Sequence, residues 1–352
     1  MRCSGPVMRW RGSNERVTGA DYVCPACRAA VVRSGEDWHC AECGRDYPIL
    51  FGIPDFRLRP DAYLSLDEER AKAATLHAFG RTASFAALVD HYYAITDDVP
   101  SALVPVFAGY VHGAADRSRS SLDRLGDDPA QGALLDLGCG SGGALLAAAG
   151  RYARCTGVDV ALRWLVIAQK RLDEAGIQAR LVCANAEALP FAPQRFSHVL
   201  ADDLIDNVRA PEMVMREAAA AMASGGRLWL SAGNRRWIGP HPATGVWAAG
   251  LIPPRWREAR LKRKHGFDLL RAVSLQTPAT LRDMAGRCGL HTTDVRPRQV
   301  DPSMMRGRSG AVRMLAHAYR GISRTPGLRS LLTGIGPAFE ILFTKPDIAS
   351  GA

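Results

Sequence analysis

From residue 133 onward, short apolar runs alternate with longer stretches whose apolar residues recur at helical spacing. Ala133–Asp136, Cys155–Val160, Arg180–Ala184, His198–Asp202 and Arg227–Ser231 read as strands. Ser141–Arg151, Ala161–Ala175 and Pro211–Met222 read as the helices between them. This alternation with short links predicts a doubly wound parallel sheet, and ligands of such sheets sit beyond the carboxyl ends of the strands. Thr277-Pro278 reads as an N-cap and first-turn proline of a helix reaching about Cys288, and Phe339–Thr344 as a late strand. Upstream, residues 61–126 carry helical patterning. Asp67-Glu68-Glu69 marks a helix start, Ser84–Ala94 is apolar at helical spacing and holds His91, and Pro100–Pro105 breaks the pattern. The polar, Arg- and Gly-containing residues 1–20 predict a disordered tail. No internal repeat is found.

The first of these strands runs into Asp136 and then Gly138-Cys-Gly140-Ser-Gly-Gly143, which satisfies G-x-G-x-x-G. Spacing alone leaves the nucleotide undefined, and Asp136 narrows it. A fixed carboxylate beside the turn repels a pyrophosphate and attracts a ligand that carries positive charge there. S-adenosylmethionine (SAM), with an ammonium, a sulfonium and no phosphate, fits that field. Asp159 closes the second strand, nineteen residues after Gly140. A carboxylate there can accept both hydroxyls of a ribose, for SAM and NAD alike.

The nine cysteines are unevenly spread. Cys24-Pro-Ala-Cys27 and Cys40-Ala-Glu-Cys43 form two C-x2-C knuckles twelve residues apart. Two such knuckles can close a four-sulfur shell with no open position, the pattern of a structural zinc site. The segment is too short for its own apolar core, so the metal would supply its folding free energy. Cys139, Cys155 and Cys183, on or beside apolar strand-like runs, read as small buried hydrophobes. Hydrophobic residues make up 47% and charged residues 23% of the 352, a globular composition. No apolar run reaches the ~18–20 residues of a membrane helix, and the N-terminus lacks a signal-peptide core, so a cytoplasmic location is expected. The net charge of +10 is compatible with acidic partners but does not choose among them.

Further marks follow in order. Asn185-Ala186-Glu187-Ala-Leu-Pro-Phe191 comes after the third strand, Asp202-Asp203 and Asp206-Asn207 after the fourth, and Ser224-Gly-Gly-Arg-Leu-Trp-Leu-Ser231 leads into the fifth. With these marks the chain resembles the class I SAM-dependent methyltransferases, especially the branch of ubiquinone and menaquinone C-methyltransferases. The resemblance covers residues 130–235 well and the rest of the C-terminal half loosely. It implies a Rossmann-like sheet of seven strands with the last reversed. It also implies roles for individual residues: Asp136, Gly138 and Gly140 at the methionine end, Asp159 at the ribose, and Val160 beside the adenine. Asn185 would accept from the adenine amino group in place of the usual Asp, Ala186 would offer its N–H to the ring, and Asp202 and Asp203 would lie near methyl transfer. Tyr47–Phe56, which ends the cysteine segment, resembles the small zinc-ribbon proteins that accompany tRNA and rRNA methyltransferases, and the ribbons fused ahead of many bacterial methyltransferases. The expected organisation is a tail at 1–20, a zinc ribbon at 21–58, a helical linker or lid at 59–128 and a methyltransferase domain at 129–346. A substrate-side insertion is expected at about 234–276.

The acceptor is less defined. Many relatives have Glu-His after the fourth strand, where this chain has Asp206 and Asn207, so the histidine base is missing. Asp206 and, on the lid helix, His91 are the candidate catalytic groups. Arg255–Lys264 holds six basic residues against one acid, and residues 302–339 hold six arginines and no acid. These read either as solvated helix faces or as a mouth for an anionic substrate, RNA or a membrane surface. The leading expectation is methyl transfer to a small molecule. The alternatives are an RNA methyltransferase gripping RNA with its ribbon, and a non-enzymatic docking protein on the same fold. The oligomeric state is left open.

Overall fold

The computed structural model describes residues 21–347 except 36, 98, 242, 243, 267, 269, 271 and 300–309. The expected tail at 1–20 and the first part of the basic 302–339 stretch lie outside the described residues. Contacts divide the chain into two units. One runs up to residue 92 and adds 108–185 and 189–192; the other holds 93–107, 186–188 and 193 onward.

The first unit opens with a four-stranded antiparallel ribbon: β1 (Val32–Ser34), β2 (Asp37–His39), β3 (Asp46–Leu50) and β4 (Ile53–Pro54). Its core is aromatic. Tyr22, Trp38, Tyr47 and Phe56 are all buried, with Tyr22 edge-on to Trp38 at 5.1 Å and Phe56 5.0 Å from both Tyr22 and Tyr47. A few large rings supply apolar area that so short a segment cannot gather from aliphatic residues. Helices follow: α1 (Leu66–Gly80), α2 (Phe85–Ala94), α3 (Val104–His112) and α4 (Ala114–Leu125). Ser65 and Glu68 form a reciprocal capping box at the start of α1, where the acidic triplet predicted a helix start. Then come β5 (Asp128–Leu137), α5 (Gly143–Ala147), β6 (Tyr152–Asp159), α6 (Leu162–Glu174) and β7 (Arg180–Cys183). β5, β6 and β7 pair in parallel, and Leu134, Val158, Leu165 and Val182 are buried among them. The helix expected over Ser141–Arg151 is shorter than predicted. Gly142 at φ +73° belongs to the turn before α5, and Gly150 at φ +76° reverses the chain after it.

The second unit holds β8 (Phe196–Ala201), α7 (Pro211–Ala221), β9 (Met222–Gly233), α8 (Pro254–His265), α9 (Pro278–Arg287), β10 (His291–Pro297), α10 (Gly310–Ile322), α11 (Pro326–Ile335) and β11 (Ala338–Thr344). β8 and β9 are parallel, and β11 runs antiparallel to both β9 and β10. The full strand order is β10-β11-β9-β8-β5-β6-β7, the expected seven-stranded α/β sheet with its last strand reversed. The insertion after β9 has a small core of its own, Val246, Ala249, Leu261 and Leu270 with Ile252 and Val273 against it. No described helix is long and apolar enough to cross a membrane.

Candidate cofactor site and metal centre

The two knuckles of the ribbon bring Cys24, Cys27, Cys40 and Cys43 together, with all four Sγ atoms within 4.8 Å of one another. Cys24 and Cys43 approach to 3.6 Å, and Cys27 and Cys40 to 3.5 Å. A tetrahedral ion with Zn–S near 2.3 Å needs S···S edges of ~3.8 Å, so the shell fits zinc. Tyr47 lies behind it, with its hydroxyl 3.0 Å from Cys24 Sγ. His39 is turned to Asp46 at 2.7 Å and takes no part.

In the first unit, Asp136, Gly138, Gly140, Asp159, Val160 and Asn185 gather at the carboxyl ends of β5, β6 and β7. Asp136 is buried. Gly138 and Gly140 both have positive φ, +73° and +48°, which side chains rarely adopt. A Cβ on Gly140 would meet nothing nearer than Gly138 O at 4.0 Å, so the space over the turn is open. Four of the turn's amides are already committed. Gly138 N and Cys139 N both donate to Val158 O, Gly142 N donates to Cys139 O, and Gly140 N donates to Asp159 Oδ2 at 2.9 Å. A pyrophosphate needs such N–H groups pointing outward. The N–H groups of Gly138, Cys139, Gly140 and Gly142 point inward, and the charge beside the turn comes from carboxylates. Asp159 Oδ1 accepts Ala161 N at 2.8 Å, so the turn holds the carboxylate in place. Burial raises its pKa, against these two hydrogen bonds.

Asn185 departs from expectation. Its Oδ1 accepts Leu58 N at 2.9 Å and Arg59 N at 3.1 Å, and its Nδ2 donates to Arg59 O at 3.2 Å. The amide expected to meet an adenine amino group therefore holds the chain that leaves the ribbon. Next to it, Asp55 and Arg57 form a buried bidentate pair with both contacts at 2.7 Å, and Arg57 Nη1 reaches Val160 O at 3.2 Å. Asp61 and Glu69 share Arg163 at the start of α6. None of these ion pairs was anticipated, although Asp55 and Arg57 lie two apart on an extended segment, a spacing that puts side chains on one face.

His91 lies in the last turn of α2. Its ring stacks on Phe79 at 4.0 Å and 14°, and Phe79 is itself exposed.

The second unit holds Ala186, Asp202, Asp203 and Asp206. Ala186 is buried. Asp202 and Asp203 follow β8, and Asp203 has φ +55°. Both pair with Arg298, and the Ser231 hydroxyl donates to both. Arg298 was not anticipated because it lies after β10, a strand the apolar pattern did not mark. Asp206 sits in a short 3-10 turn, Ile205–Asn207, and is buried. Its Oδ2 accepts Gly233 N at 2.6 Å, and its Oδ1 is buried with no hydrogen bond among the described residues. Burial pushes the carboxyl up to about 7, helped by Asp203 and opposed by the Gly233 N–H and Arg298.

The strand order, the reversed last strand and a glycine turn flanked by two acids define a Rossmann-like α/β architecture. Residues 135–230 match the family described as "Methyltransferase domain". The chain is similar to the ubiquinone biosynthesis O-methyltransferase of Methylobacterium sp. (strain 4-46), 33% identical over 132 residues, which is 37% of this chain and 53% of that protein. The enzyme of the same name from Coxiella burnetii (strain Dugway 5J108-111) is 30% identical over 104 residues, 30% of this chain and 44% of that protein. The chain thus spans about half the length of the curated relatives it matches. Among solved structures, an S-adenosylmethionine-dependent methyltransferase from Mesorhizobium loti aligns over 67% of this chain and 100% of its own, at 17% identity and a TM-score of 0.45.

Proposed function

We propose that this protein is a SAM-dependent methyltransferase acting on a small-molecule acceptor, with a structural zinc in its ribbon. The observation that carries the reading is the turn at Gly138–Gly143, where the N–H groups of Gly138, Cys139, Gly140 and Gly142 donate inward while Asp136 and Asp159 flank it. Asp136 and the glycine turn would hold the methionine end, and Asp159 the ribose. Bound SAM supplies an electrophilic methyl group on a sulfonium. Asp206 is the residue to receive a proton from the acceptor, since a base works best when its pKa lies near the working pH. The names of the curated relatives support a small hydroxyl-bearing acceptor. A cytoplasmic setting, where thiols stay reduced, suits the four-cysteine shell.

The test is calorimetric titration with SAM and S-adenosylhomocysteine, followed by a labelled-methyl assay on cell extract separated into RNA, protein, lipid and small-molecule fractions. Label in the small-molecule fraction is expected, and absence of SAM affinity removes the reading. A second reading, RNA as acceptor, draws on α8, where Arg255, Trp256, Arg260, Lys262 and Arg263 are all exposed. RNA binding that weakens steeply with salt would favour it.

A further inference from the structure

The chain turns back between β3 and β4, with Ile49 paired to Pro54 and Asp55 N donating to Pro48 O at 2.8 Å. This lays residues 55–58 beside the start of β3, and α1 adds Leu66 and Arg70. Together they bound a cleft of about 350 Å³ within the first unit. That volume is at the lower end of the ~300–1,000 Å³ range of small-molecule sites. Arg45, Arg57 and Arg70 line the cleft together with two acids, Asp46 and Asp55.

Both acids already have partners. Asp55 is taken up by Arg57 in the bidentate pair, with both side chains almost wholly buried. Asp46 meets His39 Nδ1 at 2.7 Å. Two of the cations are less well matched. Arg70 reaches Asp55 only at 3.5 Å, longer than an ordinary hydrogen bond. Its Nε is buried with no hydrogen bond among the described residues, a state that native structures rarely leave uncompensated. Arg45 is exposed, and its side chain makes no hydrogen bond or ion pair among the described residues.

We propose that this cleft binds a phosphate group, free or esterified to a small metabolite, between Arg45 and Arg70. A phosphate monoester carries about −1.5 to −2 charge at neutral pH and three strong acceptor oxygens. That charge matches two guanidinium groups, whereas a carboxylate matches one. Arginine's planar fork suits such oxygens, and a bound phosphate gives the Arg70 guanidinium the acceptor it lacks. Leu58 and Leu66 also line the cleft and offer apolar surface to a carbon skeleton that carries the phosphate. The cleft shares no lining residue with the glycine turn and its acids, so the proposal stands apart from the SAM reading.

The experiment titrates the zinc-loaded chain with inorganic phosphate, glycerol phosphate and acetate, by calorimetry at fixed ionic strength. Binding of phosphate is expected, with acetate weaker by at least about tenfold. Arg45→Gln and Arg70→Gln should each weaken phosphate binding by at least about tenfold, the scale of one hydrogen bond to a charge. Arg81→Gln, at the exposed far end of α1, removes the same charge from the same helix and should leave affinity unchanged. Zinc content and thermal midpoint are read for every variant, and if Arg70→Gln lowers either, Arg45→Gln decides alone. Glycerol phosphate binding more tightly than inorganic phosphate assigns the site to a phosphorylated metabolite, and equal binding assigns it to free phosphate; both support the proposal. Full affinity in either folded variant, acetate binding as tightly as phosphate, or no binding of either phosphate at millimolar concentration overturns it. So does single-stranded RNA that binds and is weakened by Arg45→Gln while neither small phosphate binds.

Discussion

Replacing Asp206 by Asn keeps an oxygen to accept from Gly233 N but removes a charge from a buried position. Burial lifts this carboxyl from 3.8 to about 7. Between those values the folded chain holds a proton that the unfolded chain gives up. The contribution of Asp206 to stability is therefore full below about pH 4 and declines as pH rises through 7. About three pH units at ~1.4 kcal/mol each give a loss of about 4 kcal/mol in all, of which about 3 kcal/mol falls between pH 5 and pH 8. The variant cannot ionise there and escapes that loss. Urea unfolding of both proteins at pH 5, 6, 7 and 8, followed by tryptophan fluorescence and circular dichroism, should show their difference moving by about 3 kcal/mol toward the variant. A constant offset from substituting an amide does not affect this slope. Parallel pH curves would mean that Asp206 is already ionised in the folded chain well below neutrality, and its assignment as a base poised near pH 7 would fall. Under that assignment kcat/KM of the wild type rises through about pH 7, and Asp206→Asn lowers it by roughly 10²–10⁴.

Other outcomes follow from the same geometry. Elemental analysis should find a single zinc per chain, and Cys24→Ser should lose it together with the near-ultraviolet signal of the packed ribbon rings. Asp159→Ala removes the carboxylate proposed to hold the ribose, and a hydrogen bond to a charge is worth ~1.5–3 kcal/mol, so SAM affinity measured by calorimetry should fall by roughly ten- to a hundredfold. Gly143→Val sets a Cβ 2.4 Å from Ala114 Cβ and should lower unfolding stability by about 1–3 kcal/mol through overpacking of α5 on α4. Arg298→Met removes a cation that holds the Asp206 carboxyl down, so the midpoint of the pH–activity curve should move upward.

What could be read from the residues follows the strength of their periodicity. β5, β6, β8 and β9 are buried on both faces, so their apolar runs stand out and were placed within a few residues. β10 was missed because His291–Pro297 is an edge strand of mostly polar, half-exposed residues, with only β11 beside it. Arg298 was lost along with it, and so was the ion pair that engages Asp202 and Asp203. The glycine turn and its acids were legible because a local backbone shape dictates residue type there. The role of Asn185 was not, because its partners are backbone groups some 127 residues away that carry no side-chain signature. The stacking of His91 on Phe79 was not legible either, because the two rings lie on different helices.

The placement of the ribbon also weighs between the two acceptor readings. A module that grips single-stranded RNA offers exposed aromatic rings for stacking along a basic groove. In this ribbon Tyr22, Trp38, Tyr47 and Phe56 are all turned inward, and Tyr22 also meets Phe191 at 5.9 Å. Arg28, which could have met a phosphate, donates instead to the carbonyls of Leu189 and Phe191. The outer edge of β7, which would otherwise present unpaired backbone groups, is covered by residues 55 and 56. The ribbon's rings, this arginine and its exit strand are thus committed to the first unit itself. RNA recognition, if it occurs, would fall to the exposed cations of α8 in the other unit. Charge reversal at Arg260 and Arg263 therefore separates the readings. It should leave SAM affinity and methylation of a small acceptor unchanged, whereas an RNA methyltransferase would lose salt-sensitive binding and activity together.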